Sequence, residues 1–239
     1  MALLSANQAY LNEAIEKQLL ANTLISAEDY DLQFSSSLYN GAKLLELARY
    51  NLEFIIDKFE QIDLSKLQSF EGLERLENIK EVRFFDNHLT QLPSQLFQLK
   101  GLERLYIRVN PSLDFEQLCL DLQTFQHLEG LYLENNALTN IPKNLKRLSH
   151  LKHLQFNNRQ LRAQNQIQEI PSFLQSFEQL ESLHFERNPI NSIPHHLFAF
   201  AQKQLKSFTL GTYPFRSGSE AKAYLNLFKI HGLKTHQED

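Results

Sequence analysis

A pattern of apolar residues and asparagines, recurring from residue 79 onward, constrains this chain more than any other feature of its sequence. An apolar residue is followed by others three and five positions later, by Asn at eight and by an apolar residue at ten. It runs Ile79, Val82, Phe84, Asn87, Leu89, then Leu128, Leu131, Leu133, Asn136, Leu138, then Leu180, Leu183, Phe185, Asn188, Ile190. A further copy, Leu102, Leu105, Ile107, Asn110, has its next leucine one place late, at Leu113. Two copies lack the Asn: after Leu151, Leu154, Phe156 the eighth place holds Arg159, and after Leu205, Phe208, Leu210 it holds Tyr213. Behind the Asn segment comes an apolar–proline pair (Leu92-Pro93, Ile141-Pro142, Ile170-Pro171, Ile193-Pro194), with a leucine three residues past each proline. Copies starting at 79, 102, 128, 151, 180 and 205 are spaced 23, 26, 23, 29 and 25 residues apart.

This spacing has a physical meaning. Apolar side chains at offsets three and five, separated by mostly polar ones, have the period of a short strand with one buried face. The Asn turns the chain inward, and its amide can pair backbone groups that the turn leaves unpaired. The proline and the three-spaced leucines bring the chain back along the outer side. One copy cannot bury its own apolar face, so neighbours must stack.

The pattern resembles the leucine-rich-repeat family, in particular its type of roughly 23 residues with a Leu-Pro or Ile-Pro pair after the Asn segment. The resemblance covers residues 79–215, with a degenerate copy at Phe59, Ile62 and Leu64 ahead of it. It implies an α/β fold, a solenoid with a curved parallel β-sheet on its concave face. Such arrays need polar-faced ends. Residues 1–58 are expected to form an N-terminal helical cap, on the spacing of Leu45, Ala48, Leu52 and Ile55. The array is expected over 59–218, and a closing helix and tail over 219–239, on Leu225 and Phe228. In the longest copy, Leu161 to Ile170 is nine positions where Leu89 to Leu92 is three. Six residues are therefore expected to be inserted within 162–169, near the rim; a functional loop and neutral drift are both open.

Composition narrows the function classes. A net charge of −4 without a Lys/Arg block gives no electrostatic footprint for nucleic acid. No apolar run reaches membrane-spanning length, and the start, Met1-Ala2-Leu3-Leu4, lacks the basic region of a signal peptide. A cytoplasmic location is expected, with export lacking a cleavable signal as the alternative. The single cysteine, Cys119, allows no intramolecular disulfide or multi-cysteine metal cage and reads as a buried apolar residue. His150 and His153 fall on different elements of the repeat, and His195-His196 are adjacent, so all four read as solvated rather than metal ligands. Ser217-Gly218-Ser219 reads as a cap-forming loop. No phosphate-binding, dinucleotide, zinc-protease or nucleophile-elbow motif is found, so no enzyme activity and no cofactor are expected.

The repeat register also names the side chains on the open face of the sheet. Offset four gives Arg83, Tyr106, Tyr132, Gln155, His184 and Thr209, and offset six gives Phe85, Arg108, Glu134, Asn157, Glu186 and Gly211. Offset two gives Glu81, Arg104, Gly130, His153, Ser182 and Ser207. Aromatic residues and arginines, the types enriched at binding hot spots, gather in the N-terminal half. Arg83, Phe85, Arg104, Tyr106, Arg108, Tyr132 and Glu134 are thus the expected contacts to a protein partner. Aromatic ladders that only stabilise the sheet are the competing explanation. The family resemblance implies a protein-interaction module; a bacterial effector-like or immunity-type protein, with its activity in residues 1–58, is the alternative.

Overall fold

The computed structural model describes residues 61–191, 197, 200 and 204–210. The expected caps at 1–58 and 219–239, His195-His196, and Ser217-Gly218-Ser219 lie outside these residues. Seven strands follow in chain order: β1 (Gln61–Asp63), β2 (Glu81–Phe85), β3 (Arg104–Arg108), β4 (Gly130–Tyr132), β5 (His153–Gln155), β6 (Ser182–His184) and β7 (Ser207–Thr209). They pair in that order, all parallel, into one sheet. The register aligns Glu81, Arg104, Gly130, His153, Ser182 and Ser207 in one row, and Arg83, Tyr106, Tyr132, Gln155, His184 and Thr209 in another. These are the offset-two and offset-four columns of the sequence. β1 extends the sheet ahead of β2, with Ile62 and Leu64 fully buried.

Alternation along each strand separates core from surface. Val82, Leu105, Leu131, Leu154, Leu183 and Phe208 point inward, as do Phe84, Ile107, Leu133, Phe156 and Phe185, and all are fully or almost fully buried. Phe156 and Phe185 stack in parallel with centroids 5.3 Å apart, so neighbouring repeats interlock through like residues. The chain returns through short 3-10 turns at Ser94–Gln98, Lys143–Leu148 and Ser172–Ser176, each entered from its proline. Pro fixes the entry φ and lacks only a donor that the first turn cannot use. Leu96, Leu145 and Leu174 then drop fully buried into the core. The 26-residue copy has no such proline. It returns instead through α1 (Phe115–Asp121), whose N-cap Asp114 accepts a 2.9 Å hydrogen bond from the Gln117 amide.

The asparagines form a ladder behind the strand ends. Asn110 Oδ1 accepts from the amides of Asn87 and Leu89, and Asn136 Oδ1 accepts from the amide of Asn110 at 2.9 Å. Asn87 and Asn136 donate their side-chain amides to main-chain carbonyls of the preceding repeat, Leu64 and Ile107. Each rung thus satisfies donors and acceptors that a turn inside the protein would orphan. The ladder starts at Asn87, whose Oδ1 is buried without a partner, because the degenerate repeat turns its Leu67 amide back onto Leu64 instead.

The structure corrects the expected insertion. The rung after Asn136 is Asn165. Its Oδ1 accepts from the amides of Asn136 and Leu138, and its Nδ2 donates to the carbonyls of Leu133 and Phe156, all at 2.8–3.0 Å. Ile167, fully buried, takes the apolar place two residues on, while Leu161 is 92% exposed. Phe156 to Asn165 is nine positions where Phe84 to Asn87 is three, so the six extra residues precede the Asn rather than follow it. Arg159 never fills the Asn place. An arginine there could not both accept and donate as the ladder requires.

Candidate functional site

The open face of β2, β3 and β4 carries an indentation of about 340 Å³, lined among others by Arg83, Phe85, Tyr106, Arg108, Tyr132 and Glu134. Six of the seven residues expected from the sequence therefore meet in one place. Arg104 is the seventh. It lies beside this pocket without lining it, and its Nε donates to Glu81 Oε2 at 2.9 Å.

The pocket is built from strand neighbours. Tyr106 and Tyr132, side by side in the register, stack with centroids 4.1 Å apart and planes 6° from parallel. The Arg83 guanidinium lies 4.7 Å from the Tyr106 centroid, which extends the stack on its β2 side. Arg83 and Arg104 both bind the carboxylate of Glu81, which is nearly buried between them. Burial pushes both phenols above the usual tyrosine range, with the Glu81 charge adding to the effect at each. Both rings are thus neutral at physiological pH and offer an apolar face with a hydroxyl at its edge.

Gly130 makes this stack possible. A Cβ at that position would sit 2.8 Å from Cε2 and 3.0 Å from the hydroxyl of Tyr132, so the ring leans back over the bare glycine. Sequence reasoning placed Gly130 in the offset-two column without seeing this role. The signal available was a glycine two residues before an aromatic on one strand face.

The other side of the pocket is charged. Glu134 accepts from Gln155 Nε2 at 2.8 Å and pairs with Arg159 Nε at 2.9 Å. Burial raises its pKa, while the positive charges of Arg159 and Arg108 oppose that rise. Arg108 lies with its guanidinium 4.8 Å from the Phe85 centroid. Its Nε is buried with no hydrogen-bond partner, and no carboxylate among the described residues forms an ion pair with it.

The extra residues of the longest repeat form a loop beside this pocket, and Arg159 is the loop's contribution to the lining. Asn135 clamps the loop: its Nδ2 donates to the carbonyls of Gln160 and Arg162, and its Oδ1 accepts from the Arg159 amide. Asn135 sits at φ 53°, a left-handed conformation that asparagine tolerates better than most residues. Arg162 then reaches back across three repeats to Asp86 at 2.8 Å. Leu161 stands out between these anchors, the one large hydrophobic side chain fully open to solvent among the described residues.

The C-terminal half of the face differs. His153 Nδ1 lies 2.8 Å from Ser182 Oγ, and His184 Nδ1 lies 2.8 Å from Thr209 Oγ1. His150 and His153, expected to be solvated, are half-buried, and burial lowers both pKa values, so both rings are neutral at physiological pH. Among the described residues no group of three or more His, Cys, Asp or Glu side chains could hold a metal ion. Cys119 is fully buried on α1, where desolvation pushes its thiol up to about 12 and leaves it protonated and inert. No helix of the described residues is long and apolar enough to cross a membrane.

Comparison with known proteins agrees with this architecture. No family model matches the chain. A leucine-rich-repeat protein of Leptospira interrogans superposes with a TM-score of 0.50 at 21% identity, over 66% of this chain and 38% of that one. Internalin C2 of Listeria monocytogenes gives a TM-score of 0.49 at 18% identity, over 78% of this chain and 84% of its own. In sequence, 112 residues are 30% identical to a volume-regulated anion channel subunit, LRRC8E, of Xenopus tropicalis; the match spans 47% of this chain and 13% of that protein. With the repeat register, the parallel sheet and the asparagine ladder in place, the chain has the fold of a leucine-rich-repeat solenoid.

Proposed function

We propose that this chain is a non-catalytic protein-interaction module that docks its partner on the N-terminal half of the open, concave sheet face. Tyr106, Tyr132 and Arg108 are the anchors. The observation that carries this reading is the Arg83–Tyr106–Tyr132 stack beside an arginine without a counter-ion, set in an indentation of about 340 Å³. Rigid aromatic rings lose little side-chain entropy on binding, and prior stacking removes part of what remains. Leu161 at the rim extends the apolar area beside the pocket.

The test is quantitative affinity capture from cell extract on three immobilised proteins: wild type, Tyr106→Ala/Tyr132→Ala and Ser207→Ala/Thr209→Ala. A partner retained by the first and third but lost from the second supports the site. Partners retained equally by all three would refute it. Melting curves of the three proteins separate lost binding from lost fold.

A further inference from the structure

The charges around the pocket do not balance, and their imbalance specifies what the partner brings. Three arginines line it, Arg83, Arg108 and Arg159, against two carboxylates, Asp63 and Glu134. Glu81, beside it, is shared between Arg83 and Arg104, and Arg104 also pairs with Glu103. Arg83 is committed to Glu81 and Arg159 to Glu134. Asp63 accepts from the amide and hydroxyl of Ser65. Over the lining residues the excess is one positive charge, three arginines against two carboxylates, and among the described residues Arg108 is the lining arginine without an ion-pair partner; its buried Nε has no acceptor. A buried donor left unpaired costs the free protein stability.

Resting on the docking face proposed above, we infer that the partner places a single carboxylate, from an aspartate or glutamate side chain, against the Arg108 guanidinium. A guanidinium fork matches a carboxylate in shape and can take it through two hydrogen bonds. One surplus charge fits a singly charged group. A phosphate, carrying closer to two negative charges, would also face Asp63 and Glu134. Phe85 beneath the guanidinium holds it flat and shields one side from water, which strengthens an ion pair made above it.

The experiment needs no known partner. A phage-displayed library of random dodecapeptides is selected on the immobilised full chain, and enriched peptides are titrated by fluorescence anisotropy against wild type, Tyr106→Ala and Arg108→Gln. Peptides that depend on Tyr106 are expected to share an Asp or Glu. Changing that residue to Asn or Gln should weaken binding to wild type at least about tenfold and barely alter binding to Arg108→Gln, the signature of a direct pair. Arg108→Lys, which keeps the charge but not the fork, should recover only part of the affinity. An equal loss on wild type and Arg108→Gln, or Tyr106-dependent peptides without any acid, overturns the carboxylate and leaves the docking face standing. An empty selection, or peptides indifferent to Tyr106→Ala, overturns the docking face and the carboxylate together.

Discussion

The two halves of the open face share one backbone plan and differ in what their side chains do. In the N-terminal half, β2 and β3 run five residues each, the exposed columns are aromatic and cationic, and one guanidinium lacks a counter-ion. In the C-terminal half the strands run three residues, and histidines pair with Ser182 and Thr209 through hydrogen bonds within the sheet. Burial and stacking are therefore uniform along the described repeats, whereas aromatic and arginine side chains on the open face are concentrated at one end. The lesson is that in a repeat fold the core positions report stability, and only the outward columns distinguish one repeat from the next. An exposed ion-pair row at the first offset, Lys80–Glu103, Glu129–Lys152 and Lys206–Glu181, crosses both halves without distinguishing them, and such pairs contribute little.

The largest effect is expected where the halves join. The loop containing Leu161 belongs to the fourth full repeat but wraps the rim of the N-terminal pocket, held by Asn165 below and Asn135 above. Asn165→Ala would orphan two buried amides and weaken two carbonyl pairings, a cost of more than about 3 kcal/mol by urea unfolding. Leu161→Ala, at the exposed tip, should stay within about 0.5 kcal/mol of wild type. Equal unfolding midpoints for the two variants would mean that the loop is not part of the ladder.

A smaller effect sharpens the comparison inside the N-terminal half. Gly130→Ala should push the Tyr132 ring off Tyr106 while leaving the strand intact. The loss in partner binding should be about 1 kcal/mol, the size of one aromatic pairing. A changed near-ultraviolet tyrosine signal would accompany it. An unchanged signal with unchanged binding would show that the stack tolerates a Cβ.

The smallest effect is electrostatic. Burial holds the Glu134 pKa above the usual carboxylate range, so the folded chain binds that proton more tightly than the unfolded chain does. Its contribution to stability is greatest while the group is protonated and declines as pH rises from the ordinary carboxylate value through the folded one. Glu134→Gln should remove that decline. Melting temperatures of variant and wild type should move toward each other as the pH falls from 7 to 4, with the variant equal or slightly higher at pH 7. A variant that is less stable at pH 7 by several degrees would reverse the assignment.

Much of this was legible in the sequence, for a physical reason. The offsets that define the repeat are the same ones that decide which side of a strand a residue faces, so the strand order, the columns and the pairing of Tyr106 with Tyr132 followed from spacing alone. The missed rung at Asn165 was legible too. Asn165, Ile167 and Ile170-Pro171 repeat the spacing of Asn136, Leu138 and Ile141-Pro142, and counting back from the proline finds them. Counting forward from the strand does not, because six residues intervene. Other features depended on geometry that spacing does not carry. Whether Arg83 and Arg104 converge on Glu81, and Arg108 on the Phe85 ring without an ion pair, depends on side-chain rotamers. So does the way Tyr132 leans over Gly130.

The most direct test of unequal halves is calorimetric titration of the captured partner against single truncations in each. Tyr106→Ala and Tyr132→Ala are expected to lose about 2 kcal/mol or more, roughly thirtyfold in affinity, with folding stability within about 1 kcal/mol of wild type. Ser207→Ala and Thr209→Ala are expected to bind within about twofold of wild type. Wild-type affinity in both tyrosine variants, or a loss confined to Ser207→Ala and Thr209→Ala, would contradict the placement of the binding site on β2, β3 and β4.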